Sequence, residues 1–315
     1  MALPVHLEDI QSAAARIQPY VHHTPVLTCS SMDQMAGAQL FFKCENLQKA
    51  GAFKFRGASN AVFSLSEEEA RNGVATHSSG NHGAALSLAA RLRGIPAHIV
   101  MPSTAPRIKQ AAVKGYGGII TTCEPTLASR ESTLEEVVER TGATFIHPYN
   151  NPRVIAGQGT CAVEFLEQIP DLDIVIAPVG GGGLLSGTAV SISELSPGTK
   201  VVGAEPANAD DAYRSLKAGR IIPSKDPQTV ADGLRTSLGE LTFAVISKRV
   251  ERIVTVSEEA IISAMRHVWE RMKIIIEPSS AVAVAVALEE ELEASNKRVG
   301  IIISGGNVDL DRLPW

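Results

Sequence analysis

Short runs rich in β-branched residues alternate along this chain with longer stretches of helical period, and that alternation constrains the fold more than anything else. The strand-like runs are residues 40–44, 74–77, 98–101, 119–122, 144–146, 174–179, 201–204, 253–256 and 299–303. Between them lie helical patterns at 84–93, 126–140, 153–168, 258–271 and 280–294. An amphipathic helix opens the chain, with Leu7, Ile10, Ala14 and Ile17 at helical spacing. Strand, helix, strand in succession means crossover connections and parallel sheets covered on both faces. Several runs are apolar throughout, as strands buried on both sides are. The 315 residues suffice for a large core. Residues 72–150 form a compact βα series of their own. They are expected to be a small domain inserted into a large one made of 1–71 and 151–315.

Charge and composition exclude several classes. The formal net charge is -5, and acidic runs such as Glu67-Glu68-Glu69 and Glu289-Glu290-Glu291 interrupt any basic stripe, so nucleic acid is not an expected partner. No apolar run is long enough to cross a bilayer, and the first residues do not read as a signal peptide. Cys29, Cys44, Cys123 and Cys161 form no C-x-x-C pair, which fits reduced thiols in the cytoplasm.

In open α/β sheets, ligands bind beyond the carboxyl ends of the strands, so the residues after each strand matter most. Four of these ends carry small or polar turns: Ser78-Ser79-Gly80-Asn81-His82-Gly83, Gly180-Gly181-Gly182-Gly183, Glu205 to Asp211, and Ser304-Gly305-Gly306-Asn307. The tetraglycine precedes a helix starting near Leu184. Convergent backbone N–H groups at such a helix start make a cup for a phosphate. Neither the dinucleotide fingerprint nor the Walker A pattern fits it in any register. Lys54 stands between Phe53 and Phe55, and a lysine desolvated by apolar neighbours becomes a nucleophilic amine. Taken singly, Lys54 reads as a surface residue and the serine turns as backbone devices. Together, a nucleophilic lysine and a phosphate cup are what pyridoxal phosphate requires.

The run from Lys43 through Lys54 to Ala58 resembles the lysine signature of serine/threonine dehydratases and serine racemases. Ser78-Ser79-Gly80-Asn81-His82-Gly83, the tetraglycine, Glu277-Pro278-Ser279-Ser280 and Ser304-Gly305-Gly306-Asn307 follow in the family's order, so the likeness spans nearly the whole chain. It implies the tryptophan-synthase β-like fold (fold type II of the pyridoxal phosphate enzymes), with two parallel-sheet α/β domains and the active site between them. It implies dehydration and deamination of serine, threonine or threo-3-hydroxyaspartate, with racemisation as a companion activity. Lys54 would carry the cofactor and remove the α-proton, with Ser79 returning a proton from the opposite face. Phe53, Asn81, Gly180, Gly181, Gly182, Gly183, Leu184 and Ser304 would hold the cofactor. Ser78, Ser79, Asn81, His82 and Arg130 would bind the amino-acid substrate. Glu205, Asp211 and the Ala209 carbonyl would hold Mg²⁺ or Ca²⁺, where spacing alone reads as an acidic turn opening a helix. The resemblance also implies a homodimer. Ala52 stands where the family has Ser, Ala84 where animal racemases have a nucleotide-binding Gln, and Tyr149 also departs from them. ATP is therefore not expected as an effector. A β-replacement enzyme of the same fold and a non-catalytic phosphate-ligand sensor are the rival readings.

Overall fold

The computed structural model describes residues 3–289 and 292–315. The strands, in chain order, are β1 (Val26–Leu27), β2 (Gln39–Cys44), β3 (Val74–His77), β4 (Ala97–Pro102), β5 (Ile119–Cys123), β6 (Thr144–Phe145), β7 (Ile174–Pro178), β8 (Lys200–Pro206), β9 (Arg252–Val256) and β10 (Arg298–Ile303). They form a 6-stranded sheet in the order β1-β2-β10-β7-β8-β9 and a 4-stranded sheet in the order β5-β4-β3-β6. Every pairing is parallel except β1 with β2. β1 has only two residues, too few for a periodic signal, and was not legible as a strand.

Alternation along each strand sends side chains to opposite faces. In the larger sheet Ile174, Ile176, Val202, Ala204, Ile301 and Ile303 pack into one core. Val175, Ala177, Val201 and Ile302, their immediate neighbours, pack into another on the far face. The Pro178 end of β7 is buried along its whole length, as a central parallel strand must be. The helix Pro278–Leu288, which packs on β7 and β10, is also apolar nearly all round, and its residues 279–287 are buried. That is the signature of a helix covered on every side. In the smaller sheet, Val74, Ile99 and Met101 face one core while Ala75, Val100 and Cys123 face the other.

Two helical expectations need correction. The pattern at 258–271 is an α-helix only over Glu258–His267, then a π-helical turn over Val268–Met272 that ends at Lys273 with φ 59°. The pattern at 280–294 starts earlier, because Pro278 is tolerated in a first helical turn, and stops at Leu288, where Glu289 turns extended. Glu290 and Glu291 of the acidic run lie outside the described residues.

Register fixes what shares an edge. Ile303 of β10 pairs with Cys44 of β2, and Ile301 with Ile176 of β7. The carboxyl ends of these three parallel strands therefore leave the sheet side by side. Ser304, the segment leading to Lys54, and the tetraglycine emerge there together.

Candidate active site

Lys54 is the first residue of the helix Lys54–Phe63. The loop before it is stitched to the turn after β10: the Phe53 amide donates to the Ser304 carbonyl at 2.9 Å, and Ala52 bridges Gly305. Two segments 250 positions apart thus meet at backbone level. Lys54 Nζ lies 5.1 Å from the Phe53 ring centroid and donates to the Pro148 carbonyl at 3.1 Å. Desolvation lowers its pKa to about 8, opposed by the Glu277 carboxylate. A larger fraction of neutral amine near neutrality is what a nucleophile or proton acceptor needs.

The tetraglycine is buried and leads into the helix Gly183–Leu195. Gly182 takes φ 88°, where a side chain would be strained. A Cβ on Gly181 would lie 2.3 Å from ring carbons of Tyr149, and one on Gly183 3.1 Å from the Tyr149 Cβ. Pro148 bonds the Lys54 amine and the adjoining Tyr149 packs on the glycines, so both features close on one dipeptide. This is the deciding juxtaposition: an amine and a glycine cup at a helix start, on either side of residues 148–149.

A family profile described as pyridoxal-phosphate dependent enzyme matches residues 17–305. The chain belongs to this family of pyridoxal-phosphate dependent enzymes. It is 54% identical over 315 residues to a beta-hydroxyaspartate dehydratase of Paracoccus denitrificans (strain Pd 1222), covering 100% of both chains. It is 52% identical over 314 residues to a serine racemase of Dictyostelium discoideum, covering 98% of this chain and 97% of that one. The solved structure of maize serine racemase superposes with a TM-score of 0.96 at 48% identity, covering 98% of this chain and 95% of that one. The fold is accordingly that of the fold-type-II pyridoxal phosphate enzymes, within the serine racemase and dehydratase group.

The remaining groups expected to serve the family's cofactor lie around the same edge. Ser304 is 3% exposed, and its Oγ is 3.0 Å from Ser280 Oγ. Ser280 is held in turn by the Gly305 amide at 2.7 Å. Asn81 Nδ2 donates to Glu277 Oε1 at 2.8 Å, and Asn81 Oδ1 accepts from Asn307 Nδ2 at 3.0 Å. Asn81 opens a helix of the smaller sheet, whereas Glu277 and Asn307 belong to the larger, so this carboxamide bridges the two. Burial lifts the Glu277 carboxyl to about 8, reinforced by Asp232 and opposed by Lys109, Asn81 and Lys54. The sequence places Glu277 in a family motif but points to no role for it, because a carboxylate's burial leaves no local sign.

Of the substrate candidates, Ser78 Oγ accepts from the Gly80 and Gly83 amides at 3.3 and 3.2 Å, a backbone duty in the turn. Ser79 is partly exposed beside it. His82 is 2% exposed, and burial, Lys54 and His147 push its pKa well down, opposed by the Ile146 backbone. Arg130 stands further out. It acts electrostatically on His77, and its Nε is buried without a partner. A file of rings to which the sequence gives no joint role runs from His77, beside Arg130, to Tyr149 at the glycines. His77 lies 6.2 Å from His147, which meets Tyr149 edge-on at 4.6 Å.

At the carboxyl end of β8, Glu205 is 1% exposed and both its oxygens accept first-turn amides, from Ala212 and Tyr213 at 2.8 Å each. The helix-opening role read from spacing is therefore present. Asp211 is equally buried, and neither of its oxygens has a close hydrogen-bond partner, though Ser224 and the Leu238 backbone favour its charged form. Burial raises Glu205 to about 8 and Asp211 to about 6. Among the described residues no group of three or more His, Cys, Asp and Glu side chains gathers as a metal site. Two buried carboxyls, one of them only weakly held, and the nearby Ala209 backbone fit a hard cation in donor type. No helix among the described residues is long and apolar enough to cross a membrane.

Proposed function

We propose that this chain eliminates water from a hydroxy amino acid, 3-hydroxyaspartate foremost, and that the enamine released tautomerises to an imine, which takes up water and gives off ammonia to leave a 2-keto acid. The observation that carries the reading is the closure of the Lys54 amine and the tetraglycine on the Pro148-Tyr149 dipeptide. The full-length likeness to a hydroxyaspartate dehydratase supports the substrate choice. So does Arg130, whose unpartnered Nε offers a cation for a second carboxylate.

Bound pyridoxal phosphate supplies the electron sink that acidifies the α-hydrogen of an attached amino acid. Gly180, Gly181, Gly182, Gly183 and Leu184 would hold its phosphate, Phe53 and Asn81 its ring, and Ser304 its pyridine nitrogen. Lys54 would anchor the group and then take the α-proton at Nζ, aided by its lowered pKa. Ser304 is a neutral partner and cannot hold a ring nitrogen protonated as a carboxylate would, which favours prompt loss of the β-hydroxyl. Ser78, Ser79, Asn81 and His82 would grip the substrate carboxylate. Ser79, facing Lys54 across the substrate, would return a proton to the opposite side and give racemisation. The 52% identity to a serine racemase supports that companion activity. A divalent cation on Glu205, Asp211 and Ala209, a homodimer, separate domains with limits near residues 72 and 150, and a cytoplasmic location complete the proposal.

Keto-acid release should be measured from threo-3-hydroxyaspartate, serine and threonine in parallel. The highest kcat/KM is expected for hydroxyaspartate. Equal or better use of threonine would overturn the substrate assignment. Lys54→Ala should abolish all turnover, and retained activity would end the assignment of that residue.

A further inference from the structure

Lys43, Glu45 and Arg56 belong to the same run as Lys54, and no step proposed above uses them. All three are 0% exposed. The Arg56 guanidinium forks twice. Nε and one terminal nitrogen bind Glu45 at 2.7 and 2.8 Å, and the two terminal nitrogens bind Glu164 at 2.6 and 2.8 Å. Lys43 Nζ joins at 2.9 Å from Glu164, and also donates to the Thr24 carbonyl and Gln168 at 2.8 Å. Thr24 Oγ1 in turn donates to Glu45 at 2.5 Å. Two cations and two carboxylates balance, and every one has several partners.

Arg56 follows Lys54 by two residues in the same first helical turn. That turn has no side-chain cap and no acidic residue, so the usual devices that fix a helix start are missing. The flanking contacts are tight. The Gly57 amide donates to Gln158 at 3.1 Å, and a Cβ on Gly157 would lie 2.6 Å from the Gly57 Cα. Buried ion pairs are poor sources of net stability compared with apolar packing, whereas bidentate forks define geometry sharply.

We propose that Arg56, gripped by Glu45 and Glu164, is a positioning residue that sets the rotation and height of the first helical turn and so aims the Lys54 amine. Glu45 fixes the turn to the end of β2, and Glu164 fixes it to the helix Pro152–Gln168. The inference rests on the role proposed for Lys54.

The test compares Arg56→Lys and Glu164→Gln with Val284→Ala, a cavity in the core on the other side of the sheet. Each holoenzyme is assayed for kcat and KM. In cofactor-free protein, the pH midpoint for acylation of Lys54 by an amine reagent is followed by peptide mass spectrometry. Arg56→Lys keeps the charge but loses the fork. It should lower kcat roughly tenfold to a hundredfold, the scale of a small misplacement, with KM little changed. The Lys54 midpoint should rise toward that of an ordinary lysine as the amine finds water. Val284→Ala should lower thermal stability and move neither quantity. Unchanged kcat and midpoint in Arg56→Lys, or equal changes in Val284→Ala, would overturn the proposal. If Arg56→Lys does not fold, Glu164→Gln is read by the same criteria. Failure of both to fold would also overturn it, since the clamp would then serve only the fold. An active Lys54→Ala protein would instead refute the underlying reading, whatever the midpoints show.

Discussion

Tyr149 shows how much of a site can rest on a residue with no motif around it. Its ring fills the space that a Cβ on Gly181 would need, so Gly181→Ala must displace either the ring or the backbone. Such overpacking costs about 1–3 kcal/mol, and here it also deforms the glycine turn proposed to hold the cofactor phosphate. Cofactor affinity, measured by absorbance titration of the cofactor-free protein, is expected to fall well below wild type. The three imidazoles nearby make a second prediction. His147 is lowered to about 4 and His77 and His82 are also lowered, burial being the largest cause for each. The unfolded chain takes up protons near pH 6.5 that these rings refuse in the fold, so the imidazoles' own contribution to stability should fall as pH drops from about 6.5 to about 4 and stay level above. His147 Nδ1 accepts the Asn150 amide at 2.9 Å, and Asn can replace that acceptor. Denaturant titrations near pH 7 and near pH 5 should therefore show a smaller difference for His147→Asn; an unaltered difference would contradict a neutral imidazole. Lys54 and the glycines are legible in combination, as an amine and a glycine turn in one chain, although Lys54 alone reads as a surface residue. Tyr149, Glu277 and His147 are not, since their importance comes from partners far away in sequence.

At the scale of elements, strand runs were read well because a buried parallel strand is apolar at consecutive positions. Helix ends were read less well. The run after Leu288 keeps helix-forming residues, and only the chain's turn to extended geometry at Glu289 ends it. The helix Asp211–Ala218 carries a further prediction, because its first amides are held closely by Glu205 while the buried Asp211 carboxyl is only weakly held, by Ser224 and the Leu238 backbone. A divalent cation there would bind the folded protein and not the unfolded chain, and would raise the melting temperature with concentration. Stripping with EDTA should lower the melting temperature and Mg²⁺ or Ca²⁺ should restore it, while Asp211→Asn should remove the response. A melting curve indifferent to both would leave Glu205 as a helix cap alone.

Across the whole molecule, turns and helices attached to the two sheets are joined over the site by polar links. Asn81 reaches Glu277 and Asn307, and Lys109 pairs with Asp232. The Lys109 and Asp232 side chains are 18% and 41% exposed, so Lys109→Ala should change stability by less than about 1 kcal/mol in a denaturant titration. The arrangement of sheets was foreseeable from alternation, but the contacts between them were not, because no periodicity reports which turns will face each other. The flush ends of β2, β10 and β7 carry one more implication, for chain length. Two extra residues in β10 would leave each apolar group on its proper side, yet push Ser304 outward by roughly 7 Å. Volume-conserving exchanges in these cores should therefore be better tolerated than any change in the length of β2, β7 or β10.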